Sequence, residues 1–142
     1  MIAVPIKVRF YETDMMEVAH HTNHIRWFEM GRVEYFRSFG LSLWDYMNEG
    51  IVFPIKSVAC TYVEPARFDD ELVLETTLKK MTRAQMVFAY RLVRKEDGAL
   101  IAAGETQNAF VAKDTGKVIR LPDKFYKVLA DSVEKEDKHG KE

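Results

Sequence analysis

The stretch Thr22–Phe39, TNHIRWFEMGRVEYFRSF, decides the fold. At 100° per residue, Ile25, Phe28, Tyr35, Phe36 and Phe39 fall on one broad apolar stripe, which predicts a helix with a single buried face. Either Thr22 or Asn23 can cap its start, although neither has the Glu or Gln three positions on that completes a capping box. Gly31 sits at the edge of the stripe, where a missing side chain permits close packing on a sheet. Gly40 supplies the C-terminal stop. Arg32 falls inside the stripe and Glu29 at its border, an i,i+3 spacing that predicts a partly buried ion pair. A sharper reading has Glu29 orienting or tuning a group at the start of the helix.

Working outward, residues 4–10 alternate: Val4, Ile6, Val8 and Phe10 face one way, Lys7 and Arg9 the other. This predicts a half-buried strand. An irregular segment joins it to the helix. After Gly40 a short helix of about Leu41–Asn48 ends at Gly50. From 51 to 112 the chain reads as strand. The faces are Phe53, Ile55, Ala59 and Val63; Leu72, Leu74 and Leu78; Met86, Phe88, Tyr90 and Leu92; then Leu100, Ala102 and Phe110. Turn chemistry separates the runs at Pro65–Asp70, Thr82-Arg83, Asp97-Gly98 and Asp114–Gly116, so antiparallel hairpins follow. Pro122 opens a last short helix through about Asp131. Residues 132–142 alternate in charge and are expected to fray, which leaves 1–131 as one domain. The sum is an α+β fold: a curved antiparallel sheet of about five strands wrapped around one long central helix. One helix covers one sheet face, so the free face or edge invites a second copy of the chain.

Composition narrows the class. With 142 residues, 47% hydrophobic and 30% charged, the chain has the balance of a globular domain. A net charge of −1 gives no basic excess for nucleic acid. The single cysteine, Cys60, cannot form an internal disulfide, which suits a reducing compartment. No apolar run is long enough for a signal peptide or a membrane span, so a cytoplasmic protein without membrane insertion is expected.

The chemically dense part is Tyr11–Glu29, YETDMMEVAHHTNHIRWFE. It holds His20, His21 and His24 with Glu12, Asp14 and Glu17, and it runs into a helix start. There the first N–H groups, those of Thr22 and Asn23, lack intrahelical partners and the dipole is positive. Such a place can hold a carbonyl oxygen that gains charge during acyl transfer, and a nearby carboxylate can attack the carbonyl or activate a water. Alternatively Asp14 caps a turn and the histidines are solvated. A metal held by His20, His24 and Glu17 is the weaker reading, since the H-E-x-x-H pattern is missing. Cys60, among Val58, Ala59 and Thr61, reads as a buried inert thiol rather than a nucleophile. Lys79, Lys80, Arg83 and Arg91, together with Arg94, surround one hairpin; a solvated surface is the default, and a phosphate-bearing ligand would need such a set.

These residues carry a resemblance. RFYETD followed by VAHHTNHIRWFEMGRVEYFR resembles the hotdog-fold acyl-CoA thioesterases, in the branch containing 4-hydroxybenzoyl-CoA thioesterase and the Tol-Pal-associated enzymes. VEPARFDDELVLETTL and LIAAGETQNAFVAKDTGKVIRLP are similar to later blocks of that family, and the likeness spans about Val8 to Leu129. It implies hydrolysis of an acyl-CoA to a carboxylate and free CoA, without metal or organic cofactor, by a homodimer or homotetramer whose site lies between subunits. Asp14 matches the family's catalytic aspartate, His21 its loop histidine, Glu29 its helix glutamate and Arg32 its helix arginine. Substrate contacts are expected from Thr22, Asn23 and Glu29, and coenzyme contacts from Lys79, Lys80, Arg83 and Arg91. Met16 and Glu17 stand where relatives often have a small residue. His24 stands where they often have tyrosine, and Asn108 where they have histidine or threonine; these departures bear on the acyl group accepted. A non-hydrolytic thioester-binding module and an enoyl-thioester hydratase are the alternative functions.

Overall fold

A computed structural model describes residues 1–140. In chain order its elements are β1 (Ile2–Lys7), a 3₁₀ turn (Phe10–Glu12), α1 (Thr22–Arg37), α2 (Leu43–Met47), β2 (Ile51–Val52), β3 (Ile55–Tyr62), β4 (Glu71–Met81), β5 (Gln85–Arg94), β6 (Leu100–Ala109), β7 (Val111–Ala112) and α3 (Asp123–Gly140). Five strands form one antiparallel sheet in the order β1-β4-β5-β6-β3. β2 and β7 form a separate small ladder.

α1, of 16 residues, packs on this sheet through Trp27, Phe28, Gly31, Tyr35 and Phe36. Phe28 stacks on Tyr90 with centroids 4.2 Å apart, and Tyr35 meets Phe88 edge-on. The buried stripe is rotated from the expected one. Phe28, Tyr35 and Phe36 are inside, but Ile25 and Phe39 are exposed, and Asn23, His24 and Trp27 take the inner positions. Hydrogen bonds explain the difference: Asn23 and Trp27 both donate to Glu12, which turns their polar edges inward. α1 ends at Arg37 and the chain turns away at Gly40, whose φ of 75° only glycine adopts readily, with Leu41 N–H returning to Phe36 O at 3.0 Å.

The inner faces of β4 and β5 are as the alternation predicts. Leu72, Leu74 and Leu78 are buried, as are Met86, Phe88, Tyr90 and Leu92. On β6 a register shift between Leu92 and Val93 leaves Leu100 half-buried, while Ile101, Ala102 and, past the strand end, Phe110 are buried. The run from 51 is different. Phe53-Pro54 splits it into β2 and β3, since proline has no N–H for the ladder. β3 then forms a sheet edge with Ile55, Val58, Ala59 and Tyr62 all exposed, instead of one buried face. α3 is longer than the short helix expected and continues past Asp131. Its Ser132 is buried and accepts a 2.9 Å hydrogen bond from Tyr35 Oη, which ties α3 to α1. The last residues of the expected frayed tail, 141–142, lie outside the described residues.

Gly31 is where helix and sheet come closest. A Cβ there would fall on Thr76 Oγ1 and lie 2.8 Å from Leu74 Cδ2. Overpacking a core in this way typically costs about 1–3 kcal/mol. Gly31→Ala is therefore expected to lose stability on that scale in urea unfolding, although alanine is the better helix former; a neutral or stabilising change would contradict the packing.

Candidate active site

Glu12 is the first anchor of the segment between β1 and α1. Glu12 accepts Arg9 N–H on Oε1 (2.8 Å) and Trp27 Nε1–H on Oε2 (2.9 Å). Its carbonyl accepts His20 N–H (2.8 Å) and Asn23 Nδ2–H (2.9 Å). A second anchor is the 2.7 Å hydrogen bond from Ala19 N–H to Ala66 O. The Pro65–Asp70 turn carrying Ala66 is braced by Arg94, which donates to Pro65 O and lies 3.6 Å from the Asp70 carboxylate.

Between these anchors, Asp14 opens a tight turn. Its Oδ1 accepts Met16 N–H at 2.8 Å and its carbonyl accepts Glu17 N–H, with Glu17 at φ 64°. The turn-capping reading of Asp14 is thus realised for one oxygen. Oδ2 has no hydrogen-bond partner among the described residues. Asp14 lines a cavity of about 370 Å³ with His21, His24, Tyr62, Pro65 and Ala66. The cavity lies at the start of α1, so Asp14 and His21 do come together.

Other expected residues behave differently. Thr22 N–H reaches His20 Nδ1 at 3.3 Å and Asn23 N–H reaches His20 O at 3.0 Å, so both have internal acceptors. Asn23 is buried and its amide serves the Glu12 clamp. The Glu29–Arg32 ion pair does not form: Arg32 donates to Tyr90 Oη at 3.0 Å and Thr106 Oγ1 at 3.4 Å, while Glu29 is exposed. The basic set is dispersed and mostly paired. Lys79 meets Glu105 (2.7 Å), Arg83 meets Asp123 and Arg91 meets Glu75 (2.9 Å), with Lys80 exposed. Lys79 lies eight residues along β4 from Glu71, the strand end beside the Asp14 segment; at ~3.3 Å per residue that is roughly 26 Å. Within one chain, Lys79, Lys80 and Arg83 are at the wrong end of the sheet to meet Asp14. Among the described residues, no group of three His, Cys, Asp or Glu could hold a metal.

One lining residue, Tyr62, escapes the sequence reading, and another, His24, has a different place from the metal ligand considered there. Tyr62 donates from Oη to His21 O at 2.6 Å, pinning the helix start to the sheet edge, and burial pushes its phenol up to about 12. Its only signal was its place in a strand whose outward face looked ordinary. His24, weighed as a metal ligand, is 3% exposed between Trp27 and Tyr62. Burial pushes its imidazole below the ordinary 6.5, against the opposing pull of the His21 and His20 carbonyls.

The Thioesterase-like superfamily matches residues 8–129, nearly the whole of this architecture. The chain belongs to that superfamily. It is 33% identical over 125 residues to a putative esterase of Aquifex aeolicus, covering 88% of this chain and 94% of the relative. It is 30% identical over 96 residues to the acyl-CoA thioester hydrolase YbgC of Escherichia coli O6:H1, covering 68% and 72%. The solved structure of a DHNA-CoA thioesterase from Staphylococcus aureus superposes with a TM-score of 0.87 at 28% identity, covering 98% of this chain and 92% of that one. The expected α+β fold with a five-stranded antiparallel sheet is borne out, with hotdog thioesterases as relatives; the one long central helix is not, since α1 has 16 residues and α3 has 18.

The lowered His24 value has a consequence for stability. A histidine whose folded pKa lies below its unfolded one stabilises the fold above about pH 6.5, and that contribution is lost as pH falls through the folded value. The wild-type protein should therefore lose more unfolding free energy than His24→Phe between about pH 7.5 and about pH 5, in paired urea titrations. Equal pH dependence in the two proteins would contradict it.

Proposed function

We propose that this chain is an acyl-CoA thioesterase that releases a carboxylic acid and free CoA, with Asp14 as nucleophile or general base. One observation carries the reading: in a chain of this superfamily, Asp14, with one oxygen fixed by Met16 N–H and the other without a partner among the described residues, lines the cavity at the start of α1. The names of relatives support the substrate class.

Water is a poor nucleophile toward a thioester at neutral pH. A fixed carboxylate overcomes this by removing a proton from water as its oxygen attacks the carbonyl carbon. Alternatively it attacks directly, giving a mixed anhydride that water then opens. In both routes negative charge grows on the carbonyl oxygen and the CoA sulfur leaves, taking up a proton. Thr22 N–H is the candidate donor for that oxygen, because its 3.3 Å bond to His20 Nδ1 is weak and that nitrogen is held more closely by Thr22 Oγ1, at 2.8 Å. Asn23 N–H, bonded to a backbone carbonyl, is less free. His21 lines the same cavity and positions the thioester.

The working unit is a homodimer formed through β3. This strand is an edge carrying exposed Ile55, Val58 and Tyr62, which a soluble domain rarely leaves uncovered. Antiparallel pairing about a two-fold axis sets the Ile55 end of one copy beside the Tyr62 end of its partner. Lys79, Lys80 and Arg83 lie at the Ile55 end of the sheet, since Ile55 registers with Asn108, Asn108 with Met86 and Met86 with Met81. The basic residues that one chain holds far from Asp14 thereby come near the partner's site, where they contact the coenzyme phosphates.

Two measurements test this. Asp14→Asn keeps shape but deletes charge, so kcat should fall at least ~10²-fold, the scale of general-base assistance, with circular dichroism and acyl-CoA affinity retained. Near wild-type turnover by the folded variant would end the assignment. Sedimentation at micromolar protein should give at least twice the 16.5 kDa chain mass. Val58→Lys, at the middle of β3, should shift the protein to monomer and lower activity; a fully active monomer would refute the shared site.

A further inference from the structure

The surface beyond the end of β1 is apolar where a solvated face is the ordinary case. Phe10 and Tyr11 in the 3₁₀ turn are 75% and 79% exposed, and Phe68 is 51% exposed. Phe10 meets Phe68 edge-on with centroids 5.7 Å apart. Backbone bonds hold these rings in place. Short antiparallel bridges join Thr13 to Ala19 and Val18 to Arg67, and Val8 N–H reaches Asp70 O at 3.0 Å. At the tip of the Asp14 turn, between the bridged residues, Met16 is largely exposed and Met15 fully so. These large apolar side chains stand out from one stitched cluster of loops, and a contiguous exposed apolar surface marks a site of interaction.

Cations frame the rings. Lys7 and Arg9 line one groove with Phe10, Tyr11 and Phe68, and Arg67 precedes Phe68. The Arg9 and Arg67 side chains have no ion-pair partner among the described residues, and both residues are exposed. Lys7 lies 3.5 Å from Asp69, the carboxylate that lines the groove, in an exposed pair of little strength. Both Glu12 oxygens are already bonded within the clamp, which leaves Glu17 as the other exposed carboxylate of these loops. A second copy of the chain suits this surface poorly, because a two-fold contact would set the free arginines against themselves. Pairing through β3 also leaves the rings open: β1 and β3 are opposite edges of the sheet, four strand spacings or roughly 19 Å apart. A protein partner would need a pocket for each protruding ring. A bilayer needs none, since its interface takes aromatic rings at the headgroup level and its phosphates pair with guanidiniums.

We propose that this surface docks the protein on an anionic lipid bilayer, with Phe10, Tyr11 and Phe68 entering the headgroup layer and Arg9 and Arg67 binding lipid phosphates. The contact is peripheral and reversible, made by a few interfacial rings and cations rather than by a spanning segment. Met15 and Met16 carry the apolar surface on to the Asp14 turn, so docking brings the mouth of that cavity to the lipid, where amphiphilic acyl thioesters gather. That consequence rests on the thioesterase reading; the docking itself does not.

The test is co-sedimentation of the full chain with vesicles. Wild-type protein should bind mixed phosphatidylglycerol and phosphatidylcholine vesicles at low salt, and phosphatidylcholine alone at least about tenfold more weakly. Phe10→Ser/Phe68→Ser and Arg9→Gln/Arg67→Gln should each lower the partition coefficient about tenfold or more, the scale of two apolar side chains or two cations at an anionic surface. Lys113→Gln/Lys117→Gln removes two exposed cations around the turn after β7 and should leave it unchanged. Should the ring variant fail to fold by circular dichroism, the arginine variant decides, since both arginines are exposed and unpaired among the described residues. Wild-type protein that ignores anionic vesicles at low salt overturns the proposal. So does binding that survives the ring and arginine substitutions, or an equal loss on removing Lys113 and Lys117. A fall in oligomer mass with Phe10→Ser/Phe68→Ser, in sedimentation without vesicles, would make the surface a contact between copies and overturn it too. Vesicle binding as expected with no hydrolysis of any acyl-CoA would count against the thioesterase reading alone.

Discussion

The Glu12 clamp is the constraint on which the site depends. One side chain accepts from the strand end at Arg9 and from the buried indole of Trp27, and its carbonyl takes His20 and Asn23. Both carboxylate oxygens have N–H partners, and hydrogen bonds to a charged acceptor are stronger than neutral ones. The segment from Val8 to His21 would otherwise be free to sample many conformations, and ordering it costs entropy residue by residue. Closing it onto α1 leaves the Asp14 turn little freedom. Asp14 itself is held only through local backbone bonds, so its position relative to the helix start is inherited from Glu12.

The same economy appears on the sheet. Arg94 braces the Pro65–Asp70 turn, whose Ala66 carbonyl receives the loop, and Tyr62 ties His21 to the sheet edge. The cavity wall is therefore built from the β1–α1 loop, the start of α1, the end of β3 and the turn that follows it, at one end of the sheet. The antiparallel dimer proposed above would join opposite ends, and would give a physical reason for a chain to keep an edge strand with exposed apolar residues and to place cationic residues far from its own carboxylate.

The hairpin strands were legible because their alternation is long and their turns carry strong signals. The split at Pro54 was missed because an apolar run masks it, although proline without an N–H was the available clue. The edge position of β3 was not legible, since alternation marks two faces and is silent on neighbours. The helix was found, but its rotation was not. Asn23, His24 and Trp27 turn inward for hydrogen bonds and ring contacts that arise from another part of the chain, and an apolarity count cannot see them. Asp14 and His21 are nominated by charge density before a helix start and by resemblance. Tyr62 had no local signature, since its bond to His21 O depends on a tertiary neighbour.

The most direct test of the central claim is a crystal structure of Asp14→Asn with an intact acyl-CoA bound. The account predicts the thioester carbonyl carbon within about 3.5 Å of the residue 14 side chain, or one water away from it, with the carbonyl oxygen turned toward Thr22 N–H. A well-ordered thioester carbonyl lodged elsewhere, beside Glu29 or Cys60 for example, would contradict it.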